Sequence, residues 1–272
     1  MKRPLATSLL VLFIMMIYGL GMPANAQVTP CVDAPYGWQY QDDTRSIVIN
    51  KVSENSITYF VVDVQLSDAA GFHTALNGDL STVSLMAGQA GAILAINGDD
   101  YGTHKYGVII RNGALLRTHS TTRNLLIVDA EGNMRVKVDR QNEDYSALGQ
   151  QLLGAGVLQT FEFGPELVRD GQAVEFSKEF DVISTRASRM EPRTAIGQIG
   201  PLHYIIIVVD GRQHGYSIGI SLQDLQQLFI RYGAQTAMNL DGGGSTELWF
   251  QGEILNQPSG GQERYVSDII FF

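Results

Sequence analysis

Cysteine is almost absent from this chain, since Cys31 is the only one in 272 residues. A single cysteine excludes an internal disulfide framework and a zinc site built from cysteines. Basic residues are also scarce: 19 Lys and Arg stand against 28 Asp and Glu, which leaves a formal charge of −9. An acidic chain of this kind repels nucleic acid and anionic lipid, so we expect neither as a partner. The five histidines form no cluster along the sequence, and they predict no metal site.

Long apolar runs are absent except near the start of the chain. Leu9 to Tyr18 is an unbroken apolar stretch that follows Lys2 and Arg3 and precedes Ala24-Asn25-Ala26. Small residues in this spacing are typical of signal-peptide cleavage. The pattern predicts a signal peptide over residues 1–26 and an exported protein, periplasmic or extracellular, with no stable membrane span after cleavage near Ala26. The alternative is an uncleaved anchor, for which this run is short against the ~20 residues that span a bilayer.

The rest of the chain has the composition of a globular protein. Over the whole sequence 44% of the residues are apolar and 17% are charged, which is enough for a substantial core. No Pro/Ser-rich linker or internal repeat divides the chain, so we expect one domain. Residues 28–43 are rich in turn formers. We therefore predict an N-terminal arm over residues 27–56 and a globular domain over residues 57–272.

Strand and hairpin signals dominate the middle of the chain. Ile57 to Val64 is β-branched and aromatic, as expected of a strand. Thr82 to Gly88 indicates a short helix that leads through Gly91 into an apolar strand from Ala92 to Ile96. Three turn signals between apolar runs predict antiparallel hairpins. They are Asn112-Gly113, Glu131-Gly132 and Asp170-Gly171.

The last third of the chain indicates a different arrangement. Tyr204 to Val209 is a continuous apolar strand, Ser221 to Tyr232 has apolar residues at helical spacing, and Thr236 to Leu240 is again a strand. Ser221 is placed as the N-cap of the helix and Gly233 as its C-terminal cap. Together these segments predict one βαβ unit. The expected fold class is α/β, in the form of an α+β mixed sheet with an antiparallel middle section and a C-terminal βαβ unit.

Three consecutive glycines follow the last of these strands, in the sequence Asp241-Gly242-Gly243-Gly244-Ser245. Each glycine costs roughly 0.5–1 kcal/mol of backbone entropy relative to Ala, so we expect a structural or functional requirement for glycine in this turn. Glycines allow positive φ angles and let a ligand approach backbone N–H groups, which suits an anion. Asp241 then stands at a strand end, where α/β folds place their sites. The alternative is a tight turn that Asp241 caps, and the spacing alone favours neither.

Several motifs in a fixed order extend from about Gly154 to Phe272, and more loosely from Ala92. With a strand that ends in Asp210-Gly211 and the helix of Ser221 to Tyr232, these motifs resemble those of the phosphodiester glycosidase family. They are Arg193-Thr194-Ala195-Ile196-Gly197, Asn239-Leu240-Asp241-Gly242-Gly243-Gly244-Ser245 and Arg264-Tyr265-Val266-Ser267. The resemblance implies an α/β catalytic domain that hydrolyses the bond between a sugar C1 and a phosphodiester.

Cleavage of such a bond needs one carboxylate and a phosphate clamp. A phosphomonoester leaves far more readily than a sugar hydroxyl, so the acid of an ordinary glycosidase pair matters less. Asp241 is the leading candidate for the carboxylate that stabilises or attacks the oxocarbenium-like carbon. Arg193 is the natural bidentate donor to the phosphate. Further substrate or phosphate contacts are expected from Asn97, Gly242, Gly243, Gly244, Ser245 and Arg264.

Two other aspartates are candidates for a second catalytic carboxylate. Asp210 precedes Gly211 at the end of a buried strand, where a simple turn residue is the alternative. Asp99 lies in Asn97-Gly98-Asp99-Asp100-Tyr101, which departs from the family pattern of Gly or Asp followed by two aromatic residues. Asp99 and Asp100 are compatible with an acid/base pair, a Ca²⁺ site or a solvated turn. No other metal or cofactor is predicted.

The expected function is that of an exported hydrolase that cleaves the glycosidic C1–O bond of a sugar-1-phosphodiester, for example of the N-acetylglucosamine-1-phosphate type. Its partner is a small or polymeric sugar-phosphate substrate. One alternative is a non-catalytic envelope protein that binds glycan or sugar phosphate or takes part in exopolysaccharide assembly. Another is a phosphatase that cuts the P–O bond, for which a metal cage or a nucleophile motif is normally required.

Overall fold

A computed structural model describes residues 37–138, 142–176 and 187–272, so the predicted signal peptide and Cys31 lie outside the described residues. Among the helices of these three ranges, none has the length and apolar character needed to cross a membrane. The helices are α1 (Val83–Ala90), α2 (Tyr145–Gly154) and α3 (Leu222–Arg231). The strands are β1 (Gly37–Gln41), β2 (Arg45–Glu54), β3 (Ile57–Leu66), β4 (His73–Ser81), β5 (Leu94–Asn97), β6 (Gly107–Arg111), β7 (Ala114–His119), β8 (Asn124–Val128), β9 (Met134–Lys137), β10 (Gln159–Phe163), β11 (Glu166–Arg169), β12 (Gln172–Ala173), β13 (Arg193–Gly200), β14 (His203–Val209), β15 (Thr236–Asn239), β16 (Leu248–Phe250), β17 (Glu253–Ile254) and β18 (Val266–Phe271).

Eight strands form the main sheet, in the order β1-β2-β3-β14-β13-β15-β11-β12, with antiparallel neighbours throughout. β2 pairs with β3 along its whole length. Ile47 and Ile49 of β2 are fully buried, and this burial at every second residue is the mark of a strand with one face on the core. Residues 37–54 therefore belong to the sheet, although their turn formers suggested an arm that ends at residue 56.

The predicted C-terminal βαβ unit is present with a different strand order. β14, α3 and β15 follow one another along the chain, and both strands pair antiparallel with β13. They therefore run in the same direction with β13 between them. β13 takes this place because it forms a tight hairpin with β14, in which Gly200 lies opposite His203. Sequence pattern identifies the strands and the helix but not which strand is inserted between them.

α3 packs its apolar face on the main sheet. Its buried side chains include Leu222 and Phe229, and burial of such a side chain contributes about 1.5–3 kcal/mol. Ser221 caps the helix as predicted, since its Oγ accepts the N–H of Asp224 at 3.0 Å. Gly233 follows the last turn with a φ of 81°, the left-handed value that favours glycine after a helix.

A second sheet packs against the main sheet and carries the other half of the candidate site. Its order is β17-β16-β5-β18-β4, again with antiparallel neighbours. Phe60 and Ile206 of the main sheet share one core with Ile96 and Leu248 of the second sheet. The chain crosses from β15 to β16 through residues 240–247. The glycine motif is thus the connection between the two sheets.

The three hairpins predicted from turn signals are all present. β6 and β7 turn at Asn112-Gly113, β8 and β9 at Glu131-Gly132, and β11 and β12 at Asp170-Gly171. β10 joins the second of these hairpins to make a three-stranded sheet. β5 leads to β6 through residues 98–106. This loop reaches the glycine motif, because Gly98 O accepts the N–H of Asp241 at 3.2 Å.

Candidate active site

The glycine loop, residues 241–245, turns sharply between the two sheets. Gly243 has a φ of 61°, and a Cβ on Gly242 would lie only 2.9 Å from the carbonyl oxygen of Pro192. Glycine is therefore needed for a positive φ and for close packing. The Gly243 N–H donates to Pro192 O, and the Gly242 N–H donates to Asp241 Oδ1, both at 2.9 Å. The sequence predicted that these two amides face an anion. Both instead donate within the protein, so they are not free to bind one.

Asn97 holds Asp241 in place from the end of β5. Its Nδ2 donates to Asp241 O at 2.7 Å, and its Oδ1 accepts the Thr194 hydroxyl at 2.7 Å and the Glu247 N–H at 3.1 Å. The same Nδ2 also reaches Gly98 O at 3.4 Å. This amide is buried and uses its hydrogen-bonding capacity within the protein. Asn97 therefore positions the catalytic candidate and is not placed as a ligand contact.

Asp241 is partly exposed and lies among groups from three other segments. Burial raises the pKa of its carboxyl group, while hydrogen bonds from Ser245 and the Gly242 N–H lower it. The positive charges of Arg264 and Arg123 also lower this pKa. The carboxylate thus stands near two arginines that are distant in sequence.

Two arginines flank the glycine loop. A Cβ on Gly243 would lie 3.0 Å from Nη2 of Arg212, and a Cβ on Gly244 would lie 3.4 Å from Nη1 of Arg264. Glu191 orients Arg212 by accepting its Nε–H at 2.6 Å. Arg264 is exposed, so its guanidinium is accessible to a ligand. Together the two side chains offer planar donors of the kind that bind phosphate.

Arg193 is buried beside the loop and donates to backbone carbonyl groups. Its Nη2 donates to Arg189 O at 3.2 Å and its Nε to Ile220 O at 3.5 Å. Burial lowers the pKa of Arg193 to about 10, a shift that Glu191 opposes and Arg212 increases. The free bidentate fork predicted from the sequence is therefore partly engaged. Arg193 adds positive potential to the loop more than it presents donors to a ligand.

Asp99 belongs to a buried ionic cluster. Its Oδ1 lies 2.8 Å from Nη2 of Arg111, and its Oδ2 accepts the Glu162 N–H at 2.6 Å. The same Arg111 nitrogen lies 3.2 Å from Asp268 Oδ2. All three charged side chains are almost completely buried. Asp99 thus joins the loop after β5 to β6 and β18, and both of its carboxylate oxygens are occupied within the protein.

Asp100 points to a different set of partners, although it is the next residue. It adopts a positive φ of 68°, and its carboxylate lies 2.9 Å from Nη1 of Arg123 and 3.1 Å from Nε2 of His104. Burial raises the pKa of Asp100 to about 8; Arg123 lowers it, and the negative charges of Asp99 and Asp241 raise it. Asp100 and Asp241 are therefore close enough for their charges to interact.

Tyr106 packs against both partners of Asp100, His104 and Arg123. Its ring stacks on His104 with 5.1 Å between centroids, and the guanidinium carbon of Arg123 lies 4.8 Å from the ring centroid. Burial and the charge of Arg123 lower the pKa of His104, against the opposing effect of Asp241. His104 is therefore mostly neutral at neutral pH.

Asp210 holds a separate group of loops together. Its Oδ1 accepts Asn256 Nδ2 at 3.1 Å and the Gln257 N–H at 2.9 Å, and its Oδ2 accepts the Tyr216 hydroxyl at 2.8 Å. Burial raises the pKa of this carboxyl group, and these hydrogen bonds lower it. With three donors on its two oxygens, Asp210 serves as a support for the loops behind the glycine motif.

No group of three or more His, Cys, Asp or Glu in residues 37–138, 142–176 and 187–272 is arranged to hold a metal ion. The Ca²⁺ alternative required Asp99 and Asp100 to act together. Asp99 turns inward to Arg111, whereas Asp100 turns to Arg123. The structure therefore separates the two carboxylates.

Carboxylates, arginines and a tight glycine loop converge where the two sheets meet, an arrangement suited to a ligand with both hydroxyl groups and negative charge. The chain belongs to the phosphodiester glycosidase family, whose sequence model matches residues 90–272. Its structure is similar to the catalytic domain of zebrafish N-acetylglucosamine-1-phosphodiester alpha-N-acetylglucosaminidase, auto-inhibited by its pro-peptide. The TM-score is 0.65 at 18% identity, with 84% of this chain and 82% of the other covered.

Two further relatives extend the comparison. A Burkholderia pseudomallei protein with the provisional description of an exported protein matches with a TM-score of 0.56 at 16% identity, covering 79% of this chain and 74% of the other. The SPbeta prophage-derived uncharacterized protein YomE of Bacillus subtilis is 30% identical over 197 residues, or 70% of this chain. This chain spans only 29% of the length of YomE.

Sequence reasoning missed two charged residues at the site, Arg212 and Arg123, and it did not separate the role of Asp100 from that of Asp99. Arg212 follows the predicted turn at Asp210-Gly211, so its position at a strand end was a usable signal. Arg123 lies between β7 and β8 and carries no local motif. Tertiary contacts with Tyr106, Phe163 and Glu162 O bring it to Asp100.

Proposed function

We propose that this protein is a hydrolase that cleaves the C1–O bond of a sugar-1-phosphodiester and releases the free sugar and a phosphomonoester. One observation carries the proposal: Asp241 begins the glycine loop that Arg212 and Arg264 flank. A carboxylate and an anion-binding pair therefore serve the same small region. Family membership and the activity named for the zebrafish relative support this reaction class.

In this proposal Asp241 acts on the sugar carbon. As the C1–O bond breaks, its electron pair leaves with the phosphate oxygen and positive charge develops at C1. The Asp241 carboxylate stabilises or attacks that carbon, and water finally supplies the hydroxyl of the free sugar. Ser245 and the Gly242 N–H keep the carboxylate oriented through hydrogen bonds.

The arginines act on the phosphate. Arg264 and Arg212 donate to its oxygens and bind more strongly as charge collects on the departing oxygen. Arg193 contributes positive potential from its buried position. The phosphomonoester is a good leaving group, and the arginines stabilise the charge that it gains. A general acid that protonates the leaving oxygen is therefore less important.

The remaining candidates support this arrangement in our proposal. Asp99 and Asp210 were predicted as further catalytic carboxylates, but each has both oxygens engaged by protein donors. We assign them, with Asn97, the role of positioning the loops that carry Asp241 and Arg212. We also propose export of the protein, which rests on the signal-peptide pattern of residues 1–26.

Hydrolysis of N-acetylglucosamine 1-(methyl phosphate) in H₂¹⁸O tests the proposal. We expect ¹⁸O in the free sugar, because water attacks C1. Label in methyl phosphate would show P–O cleavage and contradict the proposal. Binding of the diester without turnover would favour the non-catalytic envelope protein. Other sugars in the same series define the specificity.

A further inference from the structure

Three exposed apolar side chains lie on adjoining segments at the edge of the candidate site. Tyr265, Leu85 and Leu80 have 66%, 53% and 50% of their surfaces exposed, the highest values among the large apolar residues of the described ranges. Val266 pairs with Ser81 in an antiparallel register, so Tyr265 comes opposite Thr82, two residues after Leu80 and three residues before Leu85. Leu85 follows in the first turn of α1. We refer to Leu80, Leu85 and Tyr265 as the apolar patch.

The apolar patch adjoins both walls of the site. Tyr265 directly follows Arg264, whose Nη1 lies 3.4 Å from the position of a Cβ on Gly244. On the other side, Cδ2 of Leu80 lies 3.9 Å from the position of a Cβ on Gly102. Gly102 belongs to the loop between β5 and β6, which also carries Asp100. The patch therefore extends the site outward from the arginine that we assign to phosphate.

We propose that the apolar patch binds a hydrocarbon chain on the leaving-group side of the phosphodiester. The substrate class is then a sugar joined through phosphate to an alkyl or prenyl alcohol. This inference rests on the proposed function, which places the sugar at Asp241 and the phosphate at Arg264. Tyr265 follows Arg264 directly in the chain, so in this proposal the second arm of the diester extends from the phosphate contact toward the patch.

Charge and polarity favour this occupant over a second sugar. An anionic phosphate followed by hydrocarbon matches an arginine followed by apolar side chains. Burial of the chain against these exposed groups removes apolar surface of both partners from water. A sugar ring needs several hydrogen-bond partners, and the only polar side-chain group of the patch is the Tyr265 hydroxyl.

The test compares three substrates that share one sugar and differ in the leaving arm: methyl, hexyl and glucosyl phosphate. For the wild-type protein we expect kcat/KM for the hexyl diester to exceed that for the methyl diester by at least about tenfold. A glucosyl diester turned over better than the hexyl diester would overturn the proposal. Equal values for the hexyl and methyl diesters would also overturn it.

Variants locate the effect on the patch. Leu80→Ser and Tyr265→Ser should each lower the hexyl-to-methyl ratio of kcat/KM by about threefold or more, and Tyr265→Phe should keep it. The matched control is Leu116→Ser, an exposed leucine on β7, which should leave the ratio unchanged. A ratio that falls equally in Leu116→Ser contradicts a role of the patch.

The two proposals fail in different ways. Absence of turnover for all three diesters contradicts the proposed function. In that case calorimetric binding of hexyl phosphate and methyl phosphate still tests the patch, with tighter binding of hexyl phosphate expected and its loss in Tyr265→Ser. Turnover of the methyl diester with no chain-length effect contradicts the patch alone.

Discussion

Asp241 is the residue on which the proposed reaction depends most directly. Asp241→Asn keeps the side-chain volume and can still accept the Gly242 N–H, but it removes the charge opposite the developing oxocarbenium ion. We expect kcat/KM for the methyl diester to fall by at least about a hundredfold. Initial rates and thermal melting of the same preparation give the measurement. Asp43→Asn, which changes an exposed carboxylate, is the matched control, and an unchanged kcat/KM in Asp241→Asn would contradict the assignment.

Arg264 is the accessible half of the proposed phosphate clamp. Arg264→Gln should lower kcat/KM for the phosphodiester by about ten- to a hundredfold, or about 1.4–2.8 kcal/mol, because a charge-assisted fork is lost. A nitrophenyl glycoside of the same sugar has no phosphate and should lose much less. Equal losses of Arg264→Gln on both substrates would rule out the clamp.

Arg193→Lys is a separate prediction. It should lower the melting temperature, because Arg193 donates to Arg189 O and Ile220 O.

The ionisation of Asp100 predicts how kcat/KM changes on the alkaline side of its pH profile. Its pKa is raised to about 8, mainly by burial. Below this pH the group is largely neutral. Above it, a second negative charge stands near Asp241 and the bound phosphate, so kcat/KM should decline as the pH rises through about 8. His104 has a lowered pKa and is already neutral in this range.

Asp100→Asn removes this ionisation and should flatten the alkaline limb while it leaves the acid limb in place. The measurement is kcat/KM from pH 5 to 10 for both proteins, with the methyl diester. A decline above pH 8 that persists in Asp100→Asn would assign the limb to another group. Thr103→Ala, an exposed change in the same loop, controls for altered loop structure.

At the scale of elements, the start of α1 is joined to the end of the glycine motif through two glutamates. Glu263 accepts the Ser84 N–H at 3.1 Å and so caps the helix. Glu247 is completely buried. Burial and the neighbouring Glu263 carboxylate raise the pKa of Glu247 to about 10. The folded chain therefore holds a proton on Glu247 at neutral pH.

This raised pKa makes stability depend on pH. In the unfolded chain Glu247 ionises near its ordinary pKa of 4.5, so its contribution to stability is complete below that pH and is lost as the pH rises toward 10. Glu247→Gln cannot ionise and keeps a polar side chain of the same size beside Glu263. We expect the variant to be at least about 1 kcal/mol more stable than wild type at pH 8, or about 2–4 °C in Tm, and nearly equal at pH 4.5. A lower Tm of the variant at pH 8 would contradict this account.

The ionic cluster of Arg111 ties β6 to β18 and to the loop after β5. Arg111→Met keeps most of the volume but leaves the buried carboxylates of Asp99 and Asp268 without their cation. We expect a loss of about 3–5 kcal/mol in the free energy of unfolding, measured by denaturant titration. Arg135→Met, at the exposed position of β9, is the control and should change stability little. A loss in Arg111→Met as small as that of the control would show that the cluster contributes little.

Local signals account for the elements that the sequence predicted correctly. The caps of α3 and the three hairpin turns depend on residues within about four positions of one another. The strand order was not predictable in this way. β13 lies between β14 and β15 because of pairings that a sequence period does not encode.

At the scale of the whole molecule, the site is a positive region in an acidic protein. The chain has a formal charge of −9, yet Arg123, Arg212 and Arg264 gather around Asp241 and the glycine loop. Such a local excess of positive charge focuses the field on the site and attracts an anionic substrate against the overall charge. The two packed sheets make this possible because residues that are far apart in the sequence, such as Arg123 and Arg264, meet at their junction.

The sequence alone determined the hairpins, the caps of α3 and the family resemblance, because each depends on neighbouring residues or on an ordered set of motifs. Only the tertiary structure decided which of the adjacent carboxylates Asp99 and Asp100 faces inward. That choice depends on Arg111, twelve residues away, and on Asp268, 169 residues away. Burial of one charged group requires its partner to be in place, and such partners are brought together only when distant strands pack.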